Sequence, residues 1–110
     1  MADARVILTT IGSAEEARQF ADTLVERRLA ACVNIVGPIR SVYRWQGTVH
    51  DDPEYLLLIK TTAERATELE EAFAELHPYD LPERVDLRIE AGSTGYLNWL
   101  FDQVGGEPNQ

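Results

Sequence analysis

The stretch LAACVNIVGPIRSVYRWQGTV, residues 29–49, decides the fold because it joins two strand-like runs to a turn signal. Residues 30–36 alternate between two sets of side chains, as a strand does. Pro38 interrupts this run, and the aromatic run at residues 41–45 continues it as strand. The Gln-Gly pair at residues 46–47 predicts a hairpin turn, after which the chain returns as the partner strand. The stretch therefore predicts an antiparallel pair of strands.

Three other short runs predict further strands. Residues 6–11 and 55–61 are rich in β-branched and apolar side chains and are too short for helices of ordinary length. Residues 84–90 alternate between apolar and charged side chains. The positions of this last run that are predicted to be buried are Val85, Leu87 and Ile89.

Helices are predicted between these strands. Two capping boxes of the S/T-x-x-E type, at residues 13–16 and 61–64, each precede apolar side chains at helical spacing. The first helix is expected to extend to residues 27–28, and the second to stop at His77, which is followed by proline. Gly92 and Ser93 begin a last short helix.

The predicted order of elements is typical of an α+β fold. It is the ferredoxin-like split βαβ sandwich, an antiparallel sheet with two helices on one face plus a short C-terminal helix. We expect a single domain at residues 1–104 and a flexible C-terminal tail at residues 105–110. The second sheet face would carry Tyr43 or Trp45, and either a second copy of the chain or a small intramolecular core could cover it.

Composition narrows the classes of partner. The net charge of −9 and the pI near 4.6 disfavour nucleic acid, which requires a basic surface, and favour cations. A single cysteine cannot form an internal disulfide, and no signal peptide or membrane-spanning run is recognised, so a cytoplasmic location without membrane contact is expected.

Catalytic motifs are not found in the sequence. There is no HExxH, CxxC or GxSxG motif and no glycine-rich phosphate loop, so the protein is predicted not to be an enzyme and to require no cofactor. Cys32 could bind a soft metal ion or could simply pack in its strand. His77 could bind a metal ion or could bond to backbone at its helix end. His50 lies in an acidic hairpin, where solvation is the simpler interpretation.

Several blocks occur in order along nearly the whole chain and are more specific than the periodic pattern. They are LAACVNI at 29–35, I-x-S-x-Y-x-W-x-G at 39–47, IKT at 59–61, HPY at 77–79, PE at 82–83, GS at 92–93, and Tyr96, Leu97 and Trp99. These blocks resemble the CutA divalent-cation-tolerance family. The resemblance implies a ferredoxin-like subunit, a homotrimer like that of PII signalling proteins, a role in the response to metal ions, and copper binding in some members.

The resemblance also implies candidate sites. In some bacterial members, copper has been assigned to a cysteine in the first strand and to adjacent histidines before the Pro-Tyr pair, and these places are held here by Thr9, Leu76 and His77. Of these places only His77 keeps a metal-binding side chain, and Cys32 is the second candidate metal ligand because its thiolate could bind a soft metal ion. A pocket near the subunit junction is expected to contain Cys32, Trp45, Lys60, Tyr79 and Glu83.

Two functions follow as expectations. One is divalent-cation tolerance, with copper or another divalent metal bound by a homotrimer. The alternative is a PII-like trimeric signalling or scaffold module, because Lys60 would disfavour a metal and favour an anionic small molecule or a protein partner.

Overall fold

The structure is a computed structural model, and it describes residues 3–105. The elements, in chain order, are β1 (Ala4–Ile11), α1 (Ala14–Glu26), β2 (Cys32–Trp45), β3 (Thr48–Thr62), a 3-10 turn (Ala63–Arg65), α2 (Ala66–Leu76), β4 (Val85–Arg88) and α3 (Thr94–Gly105). This order confirms the prediction from the sequence.

The four strands form one antiparallel sheet in the order β2-β3-β1-β4. The strand β3 lies between β2 and β1. Its residue Ile59 pairs with Ile7 of β1 on one side and with Val33 of β2 on the other. This is the ferredoxin-like arrangement, in which the two βαβ halves interleave their strands.

The core lies between one face of the sheet and the helices α1 and α2. Alternate residues of β1 and β3 point into it, and they meet the apolar stripes of both helices. Its fully or nearly fully buried members include Ile7, Ile11, Phe20, Leu24, Leu57, Ile59, Leu69 and Phe73. Burial of this layer stabilises the folded chain, by roughly 25 cal/mol per Å² of apolar area removed from water.

The other face of the sheet is only partly covered, and we call it the open face. It carries the alternate residues Val6, Leu8, Val36, Leu56, Leu58, Val85 and Leu87. The prediction that Val85 and Leu87 are buried in the chain is wrong, since they are 45% and 46% exposed. Their register opposite Leu8 and Val6 puts them on the open face.

The hairpin of β2 and β3 extends well beyond the core, and we call residues 39–54 the hairpin arm. The aromatic run continues the first run as one strand, as predicted, with a register shift at the Gly-Pro pair, between Val36 and Ile39. The runs at residues 48–49 and 55–61, which were predicted separately, belong to the single strand β3. Gln46 and Gly47 form the predicted turn, with φ angles of 51° and 81° that suit a type I′ turn. The arm contributes to a longest dimension of 48 Å.

The two predicted capping boxes have different outcomes. The Ser13 side chain accepts a hydrogen bond from the Glu16 backbone N–H at 3.2 Å, which confirms the first helix start. The second is wrong, because Thr61 is the penultimate residue of β3 and its hydroxyl donates to the Leu29 carbonyl at 2.7 Å. The helix α2 begins later, at Ala66.

The helix α3 covers one end of the open face. Its buried residues Leu100 and Val104 pack with Ala31, and Arg65 donates to the Val104 carbonyl at 2.6 Å. Gly105 is the last residue of α3, so it does not belong to the predicted tail, and residues 106–110 lie outside the described residues. None of the described helices has the length and apolar character needed to cross a membrane.

Candidate functional site

His77 lies where α2 ends, and its ring is buried against the sheet. The next residue is proline, which cannot continue the helix hydrogen bonding, so the chain turns toward β1 there. The ring is 7% exposed and packs among Phe20, Phe73 and Tyr79, with centroid distances between 5.1 and 5.6 Å. This position makes His77 a core residue at a helix terminus.

Both ring nitrogens of His77 have protein partners. The Tyr79 backbone N–H donates to Nδ1 at 3.1 Å, and Nε2 lies 2.9 Å from the Thr9 hydroxyl. A backbone N–H can only donate, so Nδ1 is the acceptor and the single proton of the neutral ring is on Nε2. The structure therefore favours the neutral imidazole, because protonation at Nδ1 would break the bond from Tyr79.

The electrostatics of His77 agree with this assignment. Burial lowers the pKa of His77 below its ordinary value of 6.5, although a backbone hydrogen bond with Thr10 and the charge of Glu54 act in the opposite direction. A neutral ring is also the form that can bind a metal ion. Here, however, coordination through either nitrogen would have to replace a hydrogen bond within the protein.

Thr9 and His77 occupy two of the places that the resemblance connects with copper, and the fold does bring them together. Thr9 has a hydroxyl at the position where a cysteine thiolate would be a strong ligand for copper. This hydroxyl is already hydrogen-bonded to the His77 ring. Leu76, at the third place, carries no ligand atom.

Tyr79 and Glu54 form a second part of the same region. The Tyr79 hydroxyl donates to Glu54 Oε2 at 2.6 Å, and Glu54 is only 9% exposed. Burial, with the hydrogen bond to Glu54, raises the pKa of Tyr79 above its ordinary value of 10. Gly12 is in close contact, since a Cβ there would lie 3.0 Å from the Tyr79 hydroxyl oxygen. The pair therefore joins the loop after α2 to the sheet.

Cys32 and Lys60 lie opposite each other on neighbouring strands, on the side of the sheet away from α1 and α2. The Cys32 thiol is partly buried, and it donates a long hydrogen bond of 3.8 Å to Asn34. The Lys60 ammonium lies 5.6 Å from the centroid of the Tyr96 ring. No carboxylate within residues 3–105 forms an ion pair with Lys60.

One chain does not bring the predicted pocket residues together. Trp45 is at the tip of the hairpin arm, about 40 Å along the strand from Cys32. Tyr79 lies beside Glu54, and Glu83 is exposed in the loop before β4. A shared pocket therefore stays a prediction that requires residues of a neighbouring chain.

Sequence reasoning did not identify the partners of His77 and Tyr79. Thr9 was marked only as a place that the resemblance connects with copper, and Glu54 was not marked as a site residue. Thr9 is a fully buried hydroxyl in a strand, and its partner is 68 residues away. Glu54 lies within β3, directly before the apolar run at residues 55–59, and this is the one sequence signal that could have marked it.

A metal site complete within one chain is not evident. In the part of the chain that the structure describes, no three or more histidine, cysteine, aspartate or glutamate side chains are grouped closely enough to hold an ion. Any metal bound to one chain would rely on fewer protein ligands, with water or a second chain supplying the rest.

Comparisons with known proteins agree with this architecture. The sequence model of the CutA1 divalent ion tolerance protein family matches residues 5–103. The divalent-cation tolerance protein CutA of Thermus thermophilus is 52% identical over 91% of this chain and 97% of its own length. The chloroplastic CutA of Arabidopsis thaliana is 44% identical over 86% of this chain, but this alignment spans only 52% of the plant protein.

Solved structures give the same result. A CutA1 structure from Thermus thermophilus superimposes with a TM-score of 0.89 at 51% identity, covering 93% of this chain and 99% of that one. The CutA structure from Synechococcus elongatus gives a TM-score of 0.89 at 42% identity, covering 94% and 92%. The fold, the ordered sequence blocks and these similarities agree, and the chain belongs to the CutA1 divalent ion tolerance protein family.

Proposed function

We propose that this protein acts in divalent-cation tolerance as a homotrimer that binds divalent metal ions. The observation that carries the assembly is the apolar surface left uncovered on one chain. The hairpin arm exposes Val42 by 66%, Val49 by 58% and Trp45 by 46%, and the open face adds Val85 and Leu87. An exposed surface of this kind is typical of an interface, and the family resemblance implies three chains.

The strand edges support the same proposal. The strand β2 is at one edge of the sheet and is 14 residues long, so a long row of its backbone groups has no partner strand within the described chain. Free edges promote uncontrolled aggregation unless they are covered. Closed pairing with other copies would cover this edge.

Charge supports the metal part of the proposal. The chain has 19 acidic and 10 basic residues, so divalent cations are concentrated near its surface. The Thermus thermophilus relative is named for divalent-cation tolerance. Among first-row divalent ions, copper binds most tightly to nitrogen and oxygen ligands, and we therefore propose copper as the preferred ion.

Thermal unfolding over a range of protein concentrations tests the assembly. Mass action stabilises a folded oligomer as its concentration rises, so we expect the melting temperature to increase over a hundredfold concentration range. A melting temperature that is independent of concentration, together with a single-chain mass in light scattering, would contradict the trimer.

A second function is favoured by the environment of Lys60. It is the only lysine of the sequence, it lies beside the exposed Tyr96 ring, and no carboxylate of the described residues neutralises it. These features suit an anionic small molecule, as in a PII-like signalling or scaffold module. Calorimetry separates the two functions, since Lys60→Gln would abolish binding of an anion but would not weaken binding of copper.

Two further expectations stay predictions. They are the cytoplasmic location and the absence of enzymatic activity. The names of the relatives indicate different locations. The Arabidopsis protein is called chloroplastic, and a protein of known structure from Archaeoglobus fulgidus is called periplasmic.

A further inference from the structure

Two potential metal ligands lie side by side on the hairpin arm. His50 and Asp52 are alternate residues of β3, so both side chains project from the same face of the hairpin. An imidazole and a carboxylate at this spacing on a strand can converge on one ion, and nitrogen with oxygen is a ligand set that suits copper(II). His50 and Asp52 therefore have suitable ligand atoms, on one face of the hairpin, for a two-residue metal site.

Tyr43 holds these two side chains in place. It lies directly opposite His50 in the strand register, and its ring stacks on the imidazole with a centroid distance of 5.3 Å and an interplanar angle of 14°. Its hydroxyl donates to Asp52 Oδ2 at 2.7 Å. Stacking contacts the face of the imidazole and leaves free its edge, where the nitrogens are. Fixing both ligands in advance lowers the entropic cost of binding an ion.

The two histidines of the chain differ in their availability. Both ring nitrogens of His77 already have protein partners in a buried position, as described above. His50 is half-buried, and within residues 3–105 its ring nitrogens have no hydrogen-bond partner. Within the described chain, a metal ion can therefore bind to His50 without breaking an existing hydrogen bond.

We propose that His50 and Asp52 form a binding site for a divalent first-row metal ion, with copper(II) preferred, on the hairpin arm. These two residues are the protein ligands for the metal binding proposed above, and the site rests on that proposal. A ring nitrogen of His50 and a carboxylate oxygen of Asp52 bind the ion, and water occupies the remaining positions. Tyr43 positions both ligands through its stacking contact and its hydrogen bond.

The test is titration of copper(II) into the full-length protein, followed by calorimetry and by electron paramagnetic resonance. We expect His50→Gln and Asp52→Asn each to weaken copper binding by at least about tenfold. The nitrogen hyperfine signal of a bound imidazole should be present in the wild type and lost in His50→Gln.

Asp51→Asn is the matched control. It removes the same charge one residue away, from the opposite face of the strand, where Asp51 pairs with Arg40 at 2.6 Å. An exposed charge in that position should change the affinity by no more than about twofold. If Asp51→Asn weakens binding as much as Asp52→Asn does, general charge attraction explains the binding and the site is wrong.

The remaining outcomes separate this site from the wider proposal. If the wild type binds copper and His50→Gln binds it equally well, the ligands lie elsewhere, and the proposed metal binding stands without this site. If the wild type shows no saturable copper binding, both proposals fail. Tyr43→Phe retains the stacking and should weaken binding less than His50→Gln does.

Discussion

Replacing two apolar residues of the hairpin arm, as Val42→Asp with Trp45→Ala, is expected to convert the proposed trimer into single chains. Both side chains are largely exposed in one chain, at 66% and 46%, so the substitutions leave no cavity in the core of the domain. In an interface they would introduce a buried charge and remove an aromatic anchor, and such changes cost several kcal/mol. Sedimentation velocity at micromolar concentration should show the mass of one chain.

Val25→Asp is the control for this substitution. Val25 is also an exposed apolar residue, at 42%, but it is on α1, away from the arm and the open face. We expect this variant to remain trimeric. Far-ultraviolet circular dichroism should show folded secondary structure in all the variants. The assembly account would be contradicted if the arm variant sediments as three chains.

His77→Ala is expected to lower the free energy of unfolding by about 3 kcal/mol. The substitution leaves a cavity beside Phe20 and Phe73 and removes the partners of the Thr9 hydroxyl and the Tyr79 N–H. Denaturant titration at a fixed chain concentration measures this loss. A loss below about 1 kcal/mol would mean that the ring is not part of the core.

Acid should lower the free energy of unfolding through the protonation of His77. The pKa of His77 is lower in the folded chain than its ordinary value of 6.5, so the unfolded chain takes up a proton that the folded chain excludes. The contribution of the neutral ring is complete above about pH 6.5 and is lost as the pH falls, by at most about 1.4 kcal/mol per pH unit. Thermal melting between pH 7.5 and 5.5 should show this decline.

A variant of His77 provides the control for the pH effect. His77→Gln removes the titrating group and should flatten the decline between pH 7.5 and 5.5. An equal decline in the wild type and in His77→Gln would assign the acid sensitivity to other groups.

Local pattern predicted most of the fold. Ser13, the turn at residues 46–47 and the two helical stripes are local signals, since the residues that form each contact lie within a few positions of one another. The second cap failed because the hydroxyl of Thr61 bonds to Leu29, 32 residues away. Alternation identified Val85 and Leu87 as one set, but it could not tell which face of the sheet the helices cover.

The candidate site was less predictable for the same physical reason. The position of His77 at a helix end could be predicted from the following proline, but its partner Thr9 lies 68 residues earlier in the chain. Which histidine is free to bind a metal depends on these long-range contacts. The sequence favoured His77, whereas the structure leaves the nitrogens of His50 available.

Native mass spectrometry of untagged protein, equilibrated with copper(II) and then freed of excess metal, tests the central claim most directly because it reports chain number and bound metal together. We predict a dominant species of three chains carrying up to one copper ion per chain, and a metal-free trimer for His50→Gln. A wild-type spectrum of single chains without copper would contradict the proposed trimeric metal-binding protein.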